Sequence, residues 1–121
     1  NADARNYAPA NARGVITVSA IDTSLQKASF SNSVEFIQYR IAAPGADIFS
    51  TIPGNQYAPF NGTSMASPYV TGLVALIKSV HPDLNTEEVY NLINSSGMES
   101  PHTRITGKVI NAGNVVEKLV E

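Results

Sequence analysis

The chain is 121 residues long, enough for one small domain that buries roughly two-thirds of the surface its unfolded form exposes. Apolar residues are 43% of it and charged residues 15%, which argues against intrinsic disorder; a net charge of −2, with 8 basic residues scattered singly, offers no basic stripe, so no nucleic acid is expected as a partner. Cysteine is absent, which excludes disulfides and thiolate metal sites while leaving the compartment open, and no apolar run approaches the roughly 20 residues of a bilayer span, so no membrane is expected either.

Residues 1–10 lack the apolar stretch of a signal peptide, so the expectation is a removed leader or an internal start. Val15 to Ile21 is rich in β-branched residues and apolar on both faces, which predicts a buried, central parallel strand. The polar stretch Asp22–Ser33 leads to a second β-like segment near Gln38–Ala43, stopped by Pro44-Gly45, and a third at Asp47–Ile52, stopped by Pro53-Gly54. Ser64 to Val80 is apolar on nearly every side, with Ala66, Gly72 and Ala75 small enough for close backbone approach, and predicts a buried helix. Pro68 falls in its first turn, where a missing N–H costs little, and His81-Pro82 marks its end.

Asn85 followed three positions later by Glu88 predicts a capped second helix with Val89, Leu92 and Ile93 inward and Gly97 closing it. A short strand around Lys108–Ile110 precedes Asn111-Ala-Gly-Asn and a last amphipathic helix with Val115, Val116, Leu119 and Val120 inward. Strands followed by strand, loop and helix suit an α/β layer fold.

Chemistry concentrates at Asn61-Gly62-Thr63-Ser64-Met65-Ala66, a serine between a glycine-containing loop and the start of a buried helix. First-turn N–H groups point outward and the helix dipole favours negative charge, so an oxyanion forming beside Ser64 would meet its own N–H. Gly62 allows a tight turn and close approach of a peptide. On helix logic alone, Ser64 or Thr63 reads first as a plain N-cap, which is what most serines before helices are.

The eight residues Asn61-Gly-Thr-Ser-Met-Ala-Ser-Pro68 resemble the nucleophile motif of the subtilisin-like serine proteases. The resemblance extends along the chain. Residues 1–9 are similar to a segment that proteinase K-like members carry shortly after the oxyanion asparagine, Ile16-Thr-Val to the strand after it, Ala28 to Asn32 to the next loop, and Ala43-Pro-Gly45 to the following turn. It implies a partial subtilisin-like fold, parallel strands packed with a buried nucleophile helix and two further helices. It also implies that residues 1–121 are the C-terminal portion of one peptidase domain, and that Ser64 attacks the scissile carbonyl with its N–H as one oxyanion donor. Asn61, Gly62 and Thr63 then form the oxyanion loop, Met65 lines the leaving-group side, and Tyr7, Ala8 and Pro9 sit near the wall of the pocket for the residue before the cut. Pro9 is a candidate cis-proline, with an ordinary turn as the alternative.

Two positions depart from the pattern. Family members usually carry a structural histidine after the motif's proline, and this chain has Tyr69. Some proteinase K-like members bind calcium through an aspartate before the Ala-Pro-Gly turn, and here Arg40 stands nearest, so a structural calcium is open for a full domain but not expected at that place.

A serine hydroxyl needs a base within about 3 Å. Only His81 and His102 are present, and along a helix rising about 1.5 Å per residue His81 lies about 25 Å from Ser64. His102, after Glu99-Ser-Pro, reads as a solvated loop histidine, Asp3 and Asp22 as solvated loop carboxylates, and Glu87 and Glu88 as parts of a helix start. No histidine or carboxylate spacing suits a metal, and no G-x-G-x-x-G or P-loop is present.

The expectation is therefore the nucleophile-bearing part of a serine endopeptidase acting through an acyl-enzyme on Ser64. Its partners would be a peptide or protein substrate and an N-terminal portion of the same domain that carries the aspartate and histidine. A non-catalytic interaction module keeping the protease fold is the alternative, and a free-standing α/β ligand-binding domain the third reading. Family habit implies a secreted or vacuole-like location, and apolar faces left open by the missing portion are expected. Asn61-Gly-Thr and Asn94-Ser-Ser are glycosylation-type triplets, the first inside the catalytic loop.

Overall fold

The structure is a computed structural model that describes residues 2–120. In chain order it contains a 3-10 turn at Ala4–Asn6, strands β1 (Thr17–Ile21), β2 (Arg40–Pro44), β3 (Ile48–Ile52) and β4 (Gln56–Phe60), and helices α1 (Thr63–Val80), α2 (Thr86–Ser96), α3 (Thr103–Thr106) and α4 (Ala112–Leu119). This is the expected α/β class.

β1 and β2 pair in parallel from Thr17↔Arg40 to Ile21↔Pro44. Val15 and Ile16 precede the ladder because it begins only where the Thr17 N–H reaches the Tyr39 carbonyl, at 2.8 Å. The far side of β2 is bridged in parallel by Val109, with the Ala42 N–H on the Lys108 carbonyl and the Ile110 N–H on that of Ala42. The middle position therefore belongs to β2. The central place expected of the Val15–Ile21 strand does not hold among the described residues, since no second strand pairs with β1. At its end the far edge is closed by a loop: Ser31 Oγ accepts the Ala20 N–H, and the Ala28 N–H reaches the Ala20 carbonyl.

α1 packs on both strands through Ala66, Val70, Leu73 and Ile77, an i, i+4, i+7, i+11 stripe. These meet Ala20, Ile41 and Ala43 of the sheet and Val89, Ile93 and Val115 of α2 and α4 in one apolar core. The all-round burial expected of this helix is corrected, because beyond that stripe only Met65 and Val74 are half-buried. Tyr69, Leu76 and Val80 are exposed, and a Cβ added at Gly72 would meet nothing within 4 Å.

α2 begins as its sequence predicts, with Asn85 Oδ1 accepting the Glu88 N–H at 2.9 Å and the Glu88 carboxylate accepting the Asn85 N–H at 3.3 Å. Its end is different in kind from a left-handed glycine cap. Gly97 has φ −72°, and the space beside it is tight, since an added Cβ would lie 3.0 Å from Lys108 Cβ and 3.1 Å from the Val109 carbonyl oxygen. Tyr90, on the buried side of α2, donates its hydroxyl to the Arg40 carbonyl at 2.7 Å. In α4 Val115 is buried and Leu119 half-buried, whereas Val116 and Val120, both expected inward, are exposed on the next face round.

β3 and β4 form an antiparallel hairpin from Ile48↔Phe60 to Ile52↔Gln56, outside the parallel sheet. Gly54 and Asn55 take left-handed backbone in its turn, at φ +88° and +56°. The hairpin returns the chain to the loop ahead of α1.

Candidate active site

Ser64 is the second residue of α1, and its side chain is exposed. The cap is Gly62, at φ +152°, a region that costs any residue with a Cβ, so the reading of Ser64 or Thr63 as a plain N-cap fails. Gly62 has no side chain to cap the first turn. Among the described residues neither the Ser64 N–H nor its Oγ has a hydrogen-bond partner. An N–H donor and a hydroxyl are thus left without partners at the positive end of an 18-residue helix, a place where negative charge is stabilised.

The loop before Ser64 is pinned from two sides. The Gly62 N–H donates to the Gly45 carbonyl at 2.8 Å, and the Gly45 N–H donates to the Ile21 carbonyl at 3.0 Å, which ties the loop to the ends of β2 and β1. Asn61 Oδ1 accepts the Asp47 N–H at 2.7 Å, which ties it to the base of the hairpin. The Met65 N–H closes the turn on the Gly62 carbonyl at 3.0 Å, leaving Met65 half-buried.

Beside Ser64 runs an apolar groove of about 350 Å³ lined by Pro9, Ala10, Val15 to Val18, Thr63, Ser64 and Ser67. The Ala8–Pro9 bond is cis, the alternative that sequence left open. Pro9 reaches the groove; Tyr7, half exposed, and Ala8 are not among its walls. The structure thus brings Ser64, Thr63 and Pro9 together.

No histidine lines that groove. His81 caps the far end of α1. His102, expected as a solvated loop residue, is a half-buried cap of α3, held because its carbonyl accepts the N–H and Oγ–H of Thr106. The loop carboxylates are also more engaged than expected. Asp3 accepts the Arg5 N–H and pairs with the Arg5 guanidinium at 2.6 Å; that side-chain hydrogen bond, then the backbone one, holds its carboxyl below the usual range. Asp22 Oδ1 accepts the N–H groups of Ser24 and Gln26 and closes a turn.

Arg40 Nη1 donates to the carbonyls of Glu35 at 2.9 Å and Ile37 at 3.2 Å. A guanidinium spending its protons on those oxygens does the work a cation would do there, and the residues at this place do not fit a calcium ion. Among the described residues no three histidine, aspartate or glutamate side chains cluster as a metal site.

An exposed, unpartnered serine at the mouth of a helix seated on a parallel α/β layer is the arrangement these residues build. The fold matches solved proteases: that of Pseudoalteromonas arctica at a TM-score of 0.85 and 28% identity, covering 98% of this chain and 40% of that one. MycP1 of Mycobacterium smegmatis matches at 0.77 and 28%, covering 90% and 31%. Subtilisin DY of Bacillus licheniformis is 43% identical over 88 residues, 73% of this chain and 31% of the relative. The thermostable alkaline protease of Halalkalibacterium halodurans is 43% identical over 91 residues, 75% of this chain and 24% of the relative. Residues 1–112 match the subtilase family, peptidase S8, and the chain belongs to it. It spans less than a third of either curated relative. A particular likeness to proteinase K-like members rests on the sequence motifs alone.

Proposed function

We propose that this chain is the nucleophile-bearing, C-terminal portion of a single serine endopeptidase domain, completed by polypeptide outside these residues. Ser64 Oγ attacks the scissile carbonyl of a peptide or protein, a histidine from the completing portion takes the hydroxyl proton, and the Ser64 N–H meets the oxyanion. Collapse of the tetrahedral intermediate expels the amine with that proton and leaves an acyl-enzyme on Ser64, which water then hydrolyses. Thr63, Gly62 and Asn61 hold the loop, Met65 borders the leaving-group side, and Pro9, with Tyr7 and Ala8 behind it, borders the pocket before the cut.

The observation that carries this reading is the Ser64 hydroxyl, exposed and unpartnered on the groove beside β1, in a chain of the subtilase family. Support for an outside base comes from the position of His81 at the other end of an 18-residue helix and from the absence of a histidine along the groove. The exposed Tyr69, Leu76 and Val80 on α1 support a docking partner there, since apolar surface of that kind is normally covered. Family habit supports a secreted or vacuole-like location. Among the described residues no helix is long and apolar enough to cross a membrane.

A fluorophosphonate probe tests the proposal. It is expected to label Ser64 in the whole protein, not in this chain alone, and not after Ser64→Ala. Labelling of the isolated chain overturns the outside base. A whole protein that is folded yet unlabelled overturns the endopeptidase and favours the non-catalytic module.

A further inference from the structure

A second hollow, of about 340 Å³ and without Ser64 in its lining, is formed by Arg5, residues 10–15 including Arg13, and Phe36, Ile37, Gln38 and Tyr39. Its lining includes two arginines and no aspartate or glutamate, with Asp3 paired to Arg5 at 2.6 Å, in a chain whose 10 acids outnumber its 8 bases. Arg5 lies with its guanidinium 4.1 Å from the centre of the Phe36 ring. Asp3 occupies its Nε and Nη2, at 2.9 and 2.6 Å, and leaves Nη1 without a partner among the described residues. Arg13, on the other lining segment, has no hydrogen bond or ion pair among the described residues.

The hollow is also held in shape. Asn11 Nδ2 donates to the Arg5 carbonyl at 2.9 Å, the Asn11 N–H to the Tyr7 carbonyl, and Gly14 turns the loop at φ +79°. Fixed walls matter because a guanidinium gives most to a planar oxyanion when little ordering is left to do.

We infer that this hollow is a binding site for a small polycarboxylate, whose two carboxylates are taken by Arg13 and by the free edge of Arg5 over Phe36. Two arginines on one lining suit two oxyanion groups on one ligand, and the volume of about 340 Å³ lies at the small end of the range for ligand pockets, about 300–1,000 Å³. The hollow shares only Ala10 and Val15 with the groove beside Ser64, and the assignment does not rest on the endopeptidase reading.

Citrate is titrated into the whole protein at an ionic strength held constant with sodium chloride, following heat of binding and Tm. The expected result is saturable one-site binding with Tm rising as citrate rises. Arg13→Gln is expected to weaken it by on the order of tenfold, because a charge-assisted fork to a carboxylate is lost, and Arg13→Lys by less. Arg13 is exposed and makes no hydrogen bond or ion pair among the described residues, so the substitution is expected to leave the fold intact. Absence of saturation, an equal effect from sodium chloride, unchanged affinity in Arg13→Gln, or inorganic phosphate binding as tightly as citrate overturns the assignment.

Discussion

Gly45 is the joint through which the sheet holds the loop ahead of Ser64, and Gly45→Ala measures that hold. An added Cβ would lie 2.6 Å from Ala20 Cβ and 2.8 Å from the Gly62 carbonyl oxygen, with Ala66 Cβ at 3.4 Å. Carbon atoms prefer separations of about 3.5–4.0 Å, so the overlap with Ala20 is about 1 Å and neither partner is the end of a flexible side chain. The Gly45 backbone does not take a positive φ, and the penalty is therefore one of space alone. Relief must come from parting the ends of β1 and β2 or from pushing Gly62 outward, and overpacking of this kind costs about 1–3 kcal/mol. In urea unfolding of the whole protein, with an m-value of about 2 kcal/mol/M, the midpoint should fall by about 0.5–1.5 M. Because Gly62 caps α1, the rate of fluorophosphonate labelling at Ser64 should fall as well. If midpoint and labelling rate both match the parent protein, the claim that the sheet end positions Ser64 through Gly45 is wrong.

Two further perturbations probe the frame. Asn85→Ala removes the side chain that accepts the Glu88 N–H at 2.9 Å and should destabilise the whole protein by about 1 kcal/mol in the same urea experiment, whereas Asn85→Gly should cost only a few tenths. Tyr90→Phe leaves the Arg40 carbonyl without its 2.7 Å partner and should cost about 1–2 kcal/mol. Burial pushes the Tyr90 phenol up, so the unfolded chain releases that proton first and stability should fall as pH rises above about 10; the phenylalanine variant should lose that part of the alkaline slope.

Local signals with a single physical origin were readable from sequence. The Asn85–Glu88 cap and the stop at His81-Pro82 depend on neighbouring residues only, and α1 and α2 begin and end within a residue or two of where those signals place them. β4 was not readable. Gln56–Phe60 carries Pro59 and is mostly exposed, so neither apolar alternation nor composition marks it, and its pairing with β3 is a tertiary fact. Burial around α1 failed for a related reason: apolar residues on every side say that cover is wanted, not which chain provides it. At the site, the residues from Asn61 to Pro68 announced the serine, but its hold could not be read from them. Gly45 and Asp47 lie 14 or more residues before Asn61 and Gly62 find them, and nothing in Ala-Pro-Gly-Ala-Asp states that its backbone supports a nucleophile.

β1 pairs with β2 on one side and, beyond its looped-over end, with no other strand among the described residues, while the groove that ends at Ser64 runs along this same border. Under the proposed function, joining and chemistry would share one line of atoms. A completing strand that seated out of step would carry its imidazole to the wrong height, so peptide cleavage would double as an inspection of whether the two pieces had met in step. Partly assembled molecules would then be harmless to their neighbours, a safeguard that comes from where the seam lies and asks nothing of any additional inhibitor.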